Sequence, residues 1–279
     1  MVQITAEAVK RFRQRTGLPL MDCKRALQEA EGDEERAIET LRRRGEKLAM
    51  SRSDRETAFG RFGIYAGLDK PAGAIVELKC ESAPVTQNEE FIQLASDMAE
   101  ALAKAESEIE TEEQLLALPL PSDPSKTLGD QKQEMFNRIR EVFNVGRFAR
   151  VAGPTAGYSH NAGTVSGVLL EVEGGNPEAA YDVAMHIAGM RPTVLTIEEL
   201  DPELVAKERS ILTEAVQQEG KPANIAEKIV EGRLRTGLFA DEVLLEQPFL
   251  KDNKTTIGQY LKQHGMKVTR FIHWELGQE

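Results

Sequence analysis

The sequence predicts an α+β protein. A bundle of three helices comes first, followed by two similar subdomains in which helices cover a small antiparallel sheet, the second with an inserted antiparallel helical hairpin. Three observations predict this fold class. Apolar residues recur at helical spacing near the amino terminus, two later segments repeat one order of strand and helix patterns, and an amphipathic insertion of about 50 residues interrupts the second copy.

The first helix has both a start and a stop signal. Thr5 suits its N-cap, and Gly17 suits the residue that ends it. Ala8, Val9 and Phe12 lie at helical spacing on one face. We expect this face to contact the other two helices.

The second and third helices are separated by Gly32 and Asp33. Glycine suits the left-handed residue at a helix end, and Asp33 can cap the next helix. Cys23 is interpreted as a small core residue, and the Arg run at 42–44 is expected at the end of the third helix, where positive charge is favourable. The three helices predict a small bundle of the ubiquitin-associated type. Their inward positions are expected to include Met21, Ala26, Leu27, Ala30, Ala37, Ile38 and Leu41.

Four apolar residues in a row, Leu18-Pro19-Leu20-Met21, stand between the first two helices, where polar residues are expected. They either fold back on their own helix as a hydrophobic staple or form an exposed patch for another protein. The residues alone do not decide between these two interpretations.

Two segments farther along the chain repeat one plan. Each begins with two strands joined by a glycine-bearing turn, at 62–66 with 74–80 and at 156–160 with 165–173. Each continues with an amphipathic helix, around 91–99 and 180–188, then a helix led by Lys-Thr and a strand around Arg-Phe. This repetition predicts two similar α+β subdomains.

The insertion in the second copy reads as two helices. Asp201 can cap the first of them and Pro202 suits its first position, while Gly220 ends it and a second helix starts near Pro222. The two form an antiparallel hairpin, which is either a protein-contact element or a stabilising appendage. The expected inward residues are Leu204, Val205, Ile211, Leu212, Ala215, Val216, Ile225, Ile229, Val230 and Leu234.

Composition excludes several classes of protein. A chain of 279 residues suggests two or three domains, and its net charge of −11 argues against nucleic-acid binding. There is no apolar run near the roughly 20 residues that cross a bilayer and no apolar signal region. With Cys23 and Cys80 alone, a disulfide framework is not expected. We therefore expect a cytoplasmic protein without membrane or nucleic-acid partners.

The sequence contains no coherent catalytic constellation. The four histidines, at 160, 186, 264 and 273, lack metal-ligand spacing, and neither a phosphate-binding loop nor a dinucleotide-binding glycine motif occurs. We expect no catalytic residues, metal or cofactor, and disfavour an enzyme.

TGLPLMDCKRAL followed by EGDEERAIETLRRRG resembles the amino-terminal signature of the elongation factor Ts family. Segments at 182–192, 219–234 and 244–261 resemble later motifs of that family, in the same order. The resemblance implies a guanine-nucleotide exchange factor for elongation factor Tu, which promotes GDP release during translation elongation by disturbing the Mg²⁺ and phosphate site. It implies binding to the GDP-bound and nucleotide-free partner without covalent catalysis, and leaves open a dimer of heterodimers.

The resemblance also implies a domain plan. Residues 1–55 would form the ubiquitin-associated-like helical domain, 56–153 core subdomain N, and 154–279 core subdomain C. The helical insertion at about 201–243 looks like the coiled-coil arm of the family.

Two partner-binding surfaces follow from the resemblance. Val9, Arg13, Leu18, Leu20 and Met21 match the surface that grips the GTPase domain of the partner. Tyr158, His160 and Asn161 match a turn that touches another of its domains. Here Asn161 and Ala162 replace the family's glycines, and His160 is alternatively an ordinary turn residue.

The element that disturbs the Mg²⁺ site is a Thr-Asp-Phe-Val segment in the family. Alignment on Cys80 and on residues 88–91 puts Ser82-Ala83-Pro84-Val85 there, so Ala83 and Pro84 replace the acid and the aromatic residue. A Phe anchors interfaces better than a smaller, stiffer Pro. We favour an exchange activity that is retained but altered. One alternative is a weaker exchange activity. The other is an adaptor that binds elongation factor Tu or another partner without affecting its nucleotide.

Overall fold

The structure is a computed structural model that describes residues 4–52 and 54–278, without the side chains at positions 46, 47, 49, 50, 223 and 224. Residues 1–3 and 53 of the predicted helical domain, and residue 279 of the predicted core subdomain C, lie outside the described residues. The chain forms two compact units, one up to Gly63 with Val76–Phe148, the other Ile64–Ile75 with the chain from Ala149 onward. Helices and antiparallel strands occur together, which confirms the α+β class.

The amino-terminal helices form where their capping residues predict. Thr5 caps α1 by accepting a hydrogen bond from the Ala8 N–H group, and Gly17 ends that helix in the left-handed conformation. Asp33 caps α3 through its Oδ1 atom, 3.0 Å from the backbone nitrogen of Arg36. The helices are α1 Ala6–Thr16, α2 Leu20–Glu29 and α3 Glu34–Met50.

The core of the three-helix bundle contains fewer residues than the apolar pattern predicts. Phe12 and Cys23 are fully buried in it. Met21 and Ile38, predicted to face inward, are 60% and 42% exposed, because three short helices enclose only one row of side chains from each. The core consists of Val9, Phe12, Cys23, Ala26, Leu27, Ala30, Ala37 and Leu41.

Helix α3 does not end at the Arg run, as predicted, but continues to Met50. It passes Gly45, which lies against the side chain of Asn137. A Cβ atom at this glycine would lie 1.8 Å from the Asn137 Oδ1 atom, so a larger residue here would force the Asn137 side chain to move.

The first sheet has the strand order β1-β2-β5. A buried ion pair links two of its strands, since the Arg147 guanidinium donates to both Glu77 carboxylate oxygens at 3.1 Å. The elements of this region are β1 Phe59–Tyr65, β2 Ala72–Cys80, α4 Glu89–Lys104, α5 Glu112–Leu116, β3 Pro119–Leu120, β4 Asp123–Thr127, α6 Leu128–Ile139 and β5 Phe143–Ala152.

The second sheet has the same order, β6-β7-β10, with both pairs antiparallel. Its core lies between β7 and α7 and includes Val168, Val183 and Ile187, all fully buried. The elements of this region, apart from its helical insertion, are β6 Thr155–His160, β7 Ser166–Gly174, α7 Pro177–Met190, β8 Pro248–Phe249, β9 Asp252–Thr256, α11 Ile257–Gln263 and β10 Met266–Glu275.

The two runs of elements repeat local detail as well as order. Thr127 and Thr256 each cap the helix after a short hairpin through a capping box. The next glycines, Gly129 and Gly258, have equivalent surroundings. An added Cβ atom would lie about 3 Å from a backbone carbonyl oxygen in both, at 3.1 and 3.0 Å. The two runs of elements therefore have equivalent caps and equivalent glycine surroundings at these positions.

The insertion contains α8 Pro202–Gln218 and α9 Ala223–Leu234, followed by a π-helical turn at Arg235–Phe239 and α10 Ala240–Glu242. Ion pairs of Arg209 with Glu231 and of Arg233 with Glu219 show that α8 and α9 run antiparallel. The sequence predicts more inward-facing residues in this hairpin than the structure buries. Because two helices cover only their facing rows, Leu204, Ile211 and Ile225 remain 41–51% exposed, whereas Val216, Val230 and Leu234 are buried.

Within the part of the chain that the structure describes, the helices are too short or too polar to cross a membrane.

Candidate functional site

Segment 82–85 directly follows the first long buried strand. Strand β2 ends at Cys80, and residues Ala83–Gln87 then form a single 3₁₀ turn with Pro84 at its start. Asn88 ends this turn and caps α4. Ala83 and Pro84 are exposed, whereas Val85 is 7% exposed.

The start of this turn is held by a carboxylate from the loop between α6 and β5. Glu141 Oε1 accepts the Ser82 hydroxyl at 2.6 Å, and Oε2 accepts the Ser82 N–H at 3.1 Å. In return, Glu81 Oε1 accepts the N–H of Val142 at 2.7 Å. Two consecutive residues of one chain segment thus exchange hydrogen bonds with two consecutive residues of the other.

The end of the turn is held from β1. The Arg61 guanidinium donates to the Thr86 carbonyl oxygen at 3.0 Å, and burial lowers the pKa of Arg61 below its ordinary value. Within the turn, the Thr86 hydroxyl donates to the Ala83 carbonyl oxygen at 2.7 Å. The exposed residues Ala83 and Pro84 therefore project from a turn that is fixed on both flanks.

Two titratable groups beside the segment have shifted pKa values. Burial raises the pKa of the Cys80 thiol to about 12, so the thiol stays protonated and donates to the Ser82 carbonyl oxygen at 3.3 Å. Burial also acts to raise the pKa of Glu81. The Val142 N–H and the Arg55 guanidinium, 3.0 Å from its carboxylate, outweigh burial, and the pKa of Glu81 lies below its usual range.

In the apolar run at 18–21, one residue packs as a hydrophobic staple would, and two others form an exposed patch. Leu18 packs against the bundle core, as a staple would. Leu20 and Met21 open α2 and are 47% and 60% exposed. They form an exposed apolar surface, which we call the Leu20/Met21 patch. Arg13 is exposed as well, whereas Val9 is 5% exposed and belongs to the core.

Sequence reasoning missed a connection from this patch to segment 82–85. Asp22, next to Met21, accepts a hydrogen bond from the Arg140 guanidinium at 2.7 Å. Arg140 ends α6 in the left-handed conformation, and its carbonyl oxygen accepts from Arg52 at 2.8 Å. The residue after it is Glu141, which holds Ser82. A non-glycine residue at the end of a helix gives no sequence signal for such a role.

The predicted Tyr158, His160 and Asn161 lie together at the end of β6. The Tyr158 hydroxyl is 2.9 Å from His160 Nδ1, and its ring meets that of Tyr181 edge-on, with centroids 5.5 Å apart. The Asn161 side-chain amide donates to the Ser159 carbonyl oxygen at 3.2 Å. The left-handed residue of this turn is Gly163, with φ 67°.

The described residues contain no group of three or more His, Cys, Asp or Glu that could hold a metal ion. His186 is fully buried, and both of its ring nitrogens have partners within the fold, Gln247 and the Leu250 N–H.

Comparison with known proteins gives one consistent result. The sequence model of a family described as "Elongation factor TS" matches residues 84–278. The chain is 41% identical to elongation factor Ts of Methylococcus capsulatus over 99% of this chain and 93% of the relative. It is 39% identical to elongation factor Ts of Saccharopolyspora erythraea over 100% of both, and 38% identical to that of Aquifex aeolicus over 98% of both. The chain therefore belongs to the elongation factor Ts family.

Proposed function

We propose that this chain is a guanine-nucleotide exchange factor that releases GDP from elongation factor Tu during translation elongation. The observation that carries the proposal is identity of 41% to a relative named elongation factor Ts over 99% of this chain. Such identity over nearly the full length favours a shared activity over a shared fold alone.

Exchange requires binding energy and no covalent step. A protein that binds the nucleotide-free GTPase better than its GDP complex must weaken GDP binding by the same factor. We propose that the Leu20/Met21 patch with Arg13 grips the GTPase domain, and that the turn of Tyr158, His160 and Asn161 contacts a second domain. Val9 and Leu18 would support the first surface from beneath, since Val9 is buried and Leu18 packs against the core.

Segment 82–85 is the proposed element that disturbs the Mg²⁺ and phosphate site. Its position and exposure support this role, because Ala83 and Pro84 project from a fixed turn. Pro84 offers less apolar area than an aromatic side chain, so we propose exchange that is retained but altered.

The domain plan of the family applies to this chain as part of the proposal. Residues 1–55 form the helical domain, 56–153 subdomain N and 154–279 subdomain C, with 201–243 as a coiled-coil arm. The antiparallel pairing of α8 and α9 supports the arm. The protein would act in the cytoplasm, without a cofactor, on the GDP-bound and nucleotide-free partner, and two heterodimers would be free to associate.

A second function, an adaptor that binds elongation factor Tu or another partner without affecting its nucleotide, is favoured by the replacement of acid and aromatic residues at Ala83 and Pro84. Calorimetric titration separates the two. An exchange factor binds nucleotide-free elongation factor Tu at least about tenfold more tightly than the GDP complex, a coupling typical of linked sites. Equal affinity for both forms would establish the adaptor, and binding to neither would refute both functions.

A further inference from the structure

We propose that Glu141 is a positioning residue for nucleotide exchange. By holding Ser82 it fixes the turn that presents Ala83 and Pro84 to the partner. This inference rests on the proposed function, because it concerns how segment 82–85 works in exchange.

The hydrogen bonds of Glu141 constrain both the backbone and the side chain of Ser82. One carboxylate oxygen accepts the N–H at 3.1 Å and the other accepts the hydroxyl at 2.6 Å. Charge-assisted hydrogen bonds of this kind are stronger than neutral ones. The peptide immediately before Ala83 therefore has a fixed orientation.

Two other hydrogen bonds and one buried side chain hold the same turn. Glu81 accepts the N–H of Val142 at 2.7 Å, so the two residues after β2 and the two residues before β5 are joined in both directions. Arg61 holds the Thr86 carbonyl oxygen at 3.0 Å, and Val85 is buried between these two attachments. Ala83 and Pro84 are left exposed between the Ser82 attachment and the buried Val85.

Rigidity has a particular value when the contacting side chain is small. A large aromatic ring can compensate for some mobility through the area that it buries, whereas Pro84 buries less. Fixing a binding element in its bound conformation removes the entropic cost of ordering it on contact. We infer that this chain offsets its smaller side chain with a turn that is ordered before binding.

The residue directly before Glu141 contacts the helical bundle. Arg140 donates to Asp22 at 2.7 Å, and Asp22 is the residue directly after Met21 of the Leu20/Met21 patch. A partner that grips the Leu20/Met21 patch therefore meets segment 82–85 at a fixed distance, because all of these residues belong to one compact unit.

The test measures the rate at which the full chain releases a fluorescent GDP analogue from elongation factor Tu. Glu141→Gln and Ser82→Ala are two separate variants. Glu141→Gln keeps the shape of the side chain but removes its charge, and Ser82→Ala removes only the hydroxyl contact. Glu100→Gln is the matched control, since Glu100 pairs with Lys104 at 2.5 Å in the same unit, away from the turn. Ser82→Thr retains the hydroxyl.

For Glu141→Gln, we expect the release rate at saturation to fall about tenfold, the effect of losing a charge-assisted hydrogen bond. The half-saturating concentration should change less than about twofold, because the gripping surfaces are intact. Ser82→Ala should show the same split with a smaller fall, Ser82→Thr should recover the wild-type rate, and Glu100→Gln should match the wild type. Hydrogen exchange of the Ser82 amide should be faster in Glu141→Gln.

Two results would overturn the inference. One is a wild-type saturating rate in Glu141→Gln and Ser82→Ala, and the other is a loss confined to the half-saturating concentration. If Glu141→Gln does not fold, Ser82→Ala and Ser82→Thr decide by the same criteria. Absence of stimulation by the wild-type chain would instead refute the proposed function, so the two failures are distinguishable.

Discussion

His186 and Gln247 form a hydrogen bond in the core of the second unit, with His186 Nε2 3.0 Å from Gln247 Oε1 and both side chains fully buried. His186 Nδ1 accepts the N–H of Leu250 at 3.2 Å, so Nε2 carries the proton in the neutral ring. The two hydrogen bonds join α7 to the residue before β8 and to the turn of hairpin β8/β9. In the first copy, Asp97 at the equivalent helix position accepts the Ser122 hydroxyl at 2.8 Å beside hairpin β3/β4.

The neutral state of His186 makes stability depend on pH. Burial lowers the pKa of His186, and it also lowers that of His273. Below the ordinary histidine pKa of about 6.5 the unfolded chain binds protons that the folded chain does not. The contribution of these two histidines to the free energy of unfolding should therefore be constant above pH 6.5 and should decrease as the pH falls below that value.

Urea unfolding between pH 7.5 and 5.0 checks this expectation. His186→Gln removes one of the two histidines whose pKa is lowered. The free energy of unfolding of this variant should therefore fall less steeply with decreasing pH than that of the wild type. An unchanged slope in His186→Gln would show that His186 does not supply the effect.

Gly146 should be intolerant of a side chain. A Cβ atom there would lie 2.4 Å from Glu77 Oε2, and the same oxygen accepts from Arg147. Gly146→Ala should lower the free energy of unfolding by about 2 kcal/mol or more, since it disrupts a buried ion pair. Gly232, in α9, has nothing within 4 Å of such an atom. Gly232→Ala should be neutral or stabilise by up to about 1 kcal/mol, and equal losses in the two variants would contradict the account.

The Leu20/Met21 patch should contribute to affinity without contributing to stability. Replacing both residues by Ser should raise the Kd for elongation factor Tu about tenfold or more, as expected for central apolar contacts. The free energy of unfolding should change by less than about 0.5 kcal/mol, because both side chains are largely exposed. Leu250→Ser is the control, at a side chain that is 54% exposed in the other unit. Loss of binding in the control as well would show that the effect is not specific to the patch.

Restoring the family's residues should accelerate exchange. In a chain with Ala83→Asp and Pro84→Phe, the larger side chain should raise the saturating rate of GDP release about tenfold, the equivalent of the added apolar burial. Pro84→Ala should lower it. Stopped-flow release of a fluorescent GDP analogue measures both, and a rate that is insensitive to both changes would remove segment 82–85 from the mechanism.

Local signals in the sequence predicted much of the fold. Thr5, Gly17 and Asp33 mark helix ends through their own side chains or conformational freedom, and the structure confirms all three. The repeat was predictable because strand and helix periodicities do not depend on distant contacts. The short hairpins were missed, although their spacing repeats: Pro119 and Asp123 correspond to Pro248 and Asp252.

The contacts that hold the candidate site could not be predicted in the same way. Glu141 and Ser82 are 59 residues apart in the chain, and no periodic pattern relates them. Exposure was also unpredictable for Met21 and Ile38, because an apolar residue at a helical position is buried only where a neighbouring element covers it. Segment 82–85 was located by resemblance, and its attachment is visible only in the structure.

The most direct test of exchange is the release of a fluorescent GDP analogue from elongation factor Tu of the same organism at fixed Mg²⁺ concentration. The wild-type chain is added at increasing concentration, and unlabelled GDP prevents rebinding. Acceleration that rises with concentration and saturates is the predicted result. A release rate equal to the spontaneous rate, at concentrations where calorimetry shows binding, would contradict the proposed function.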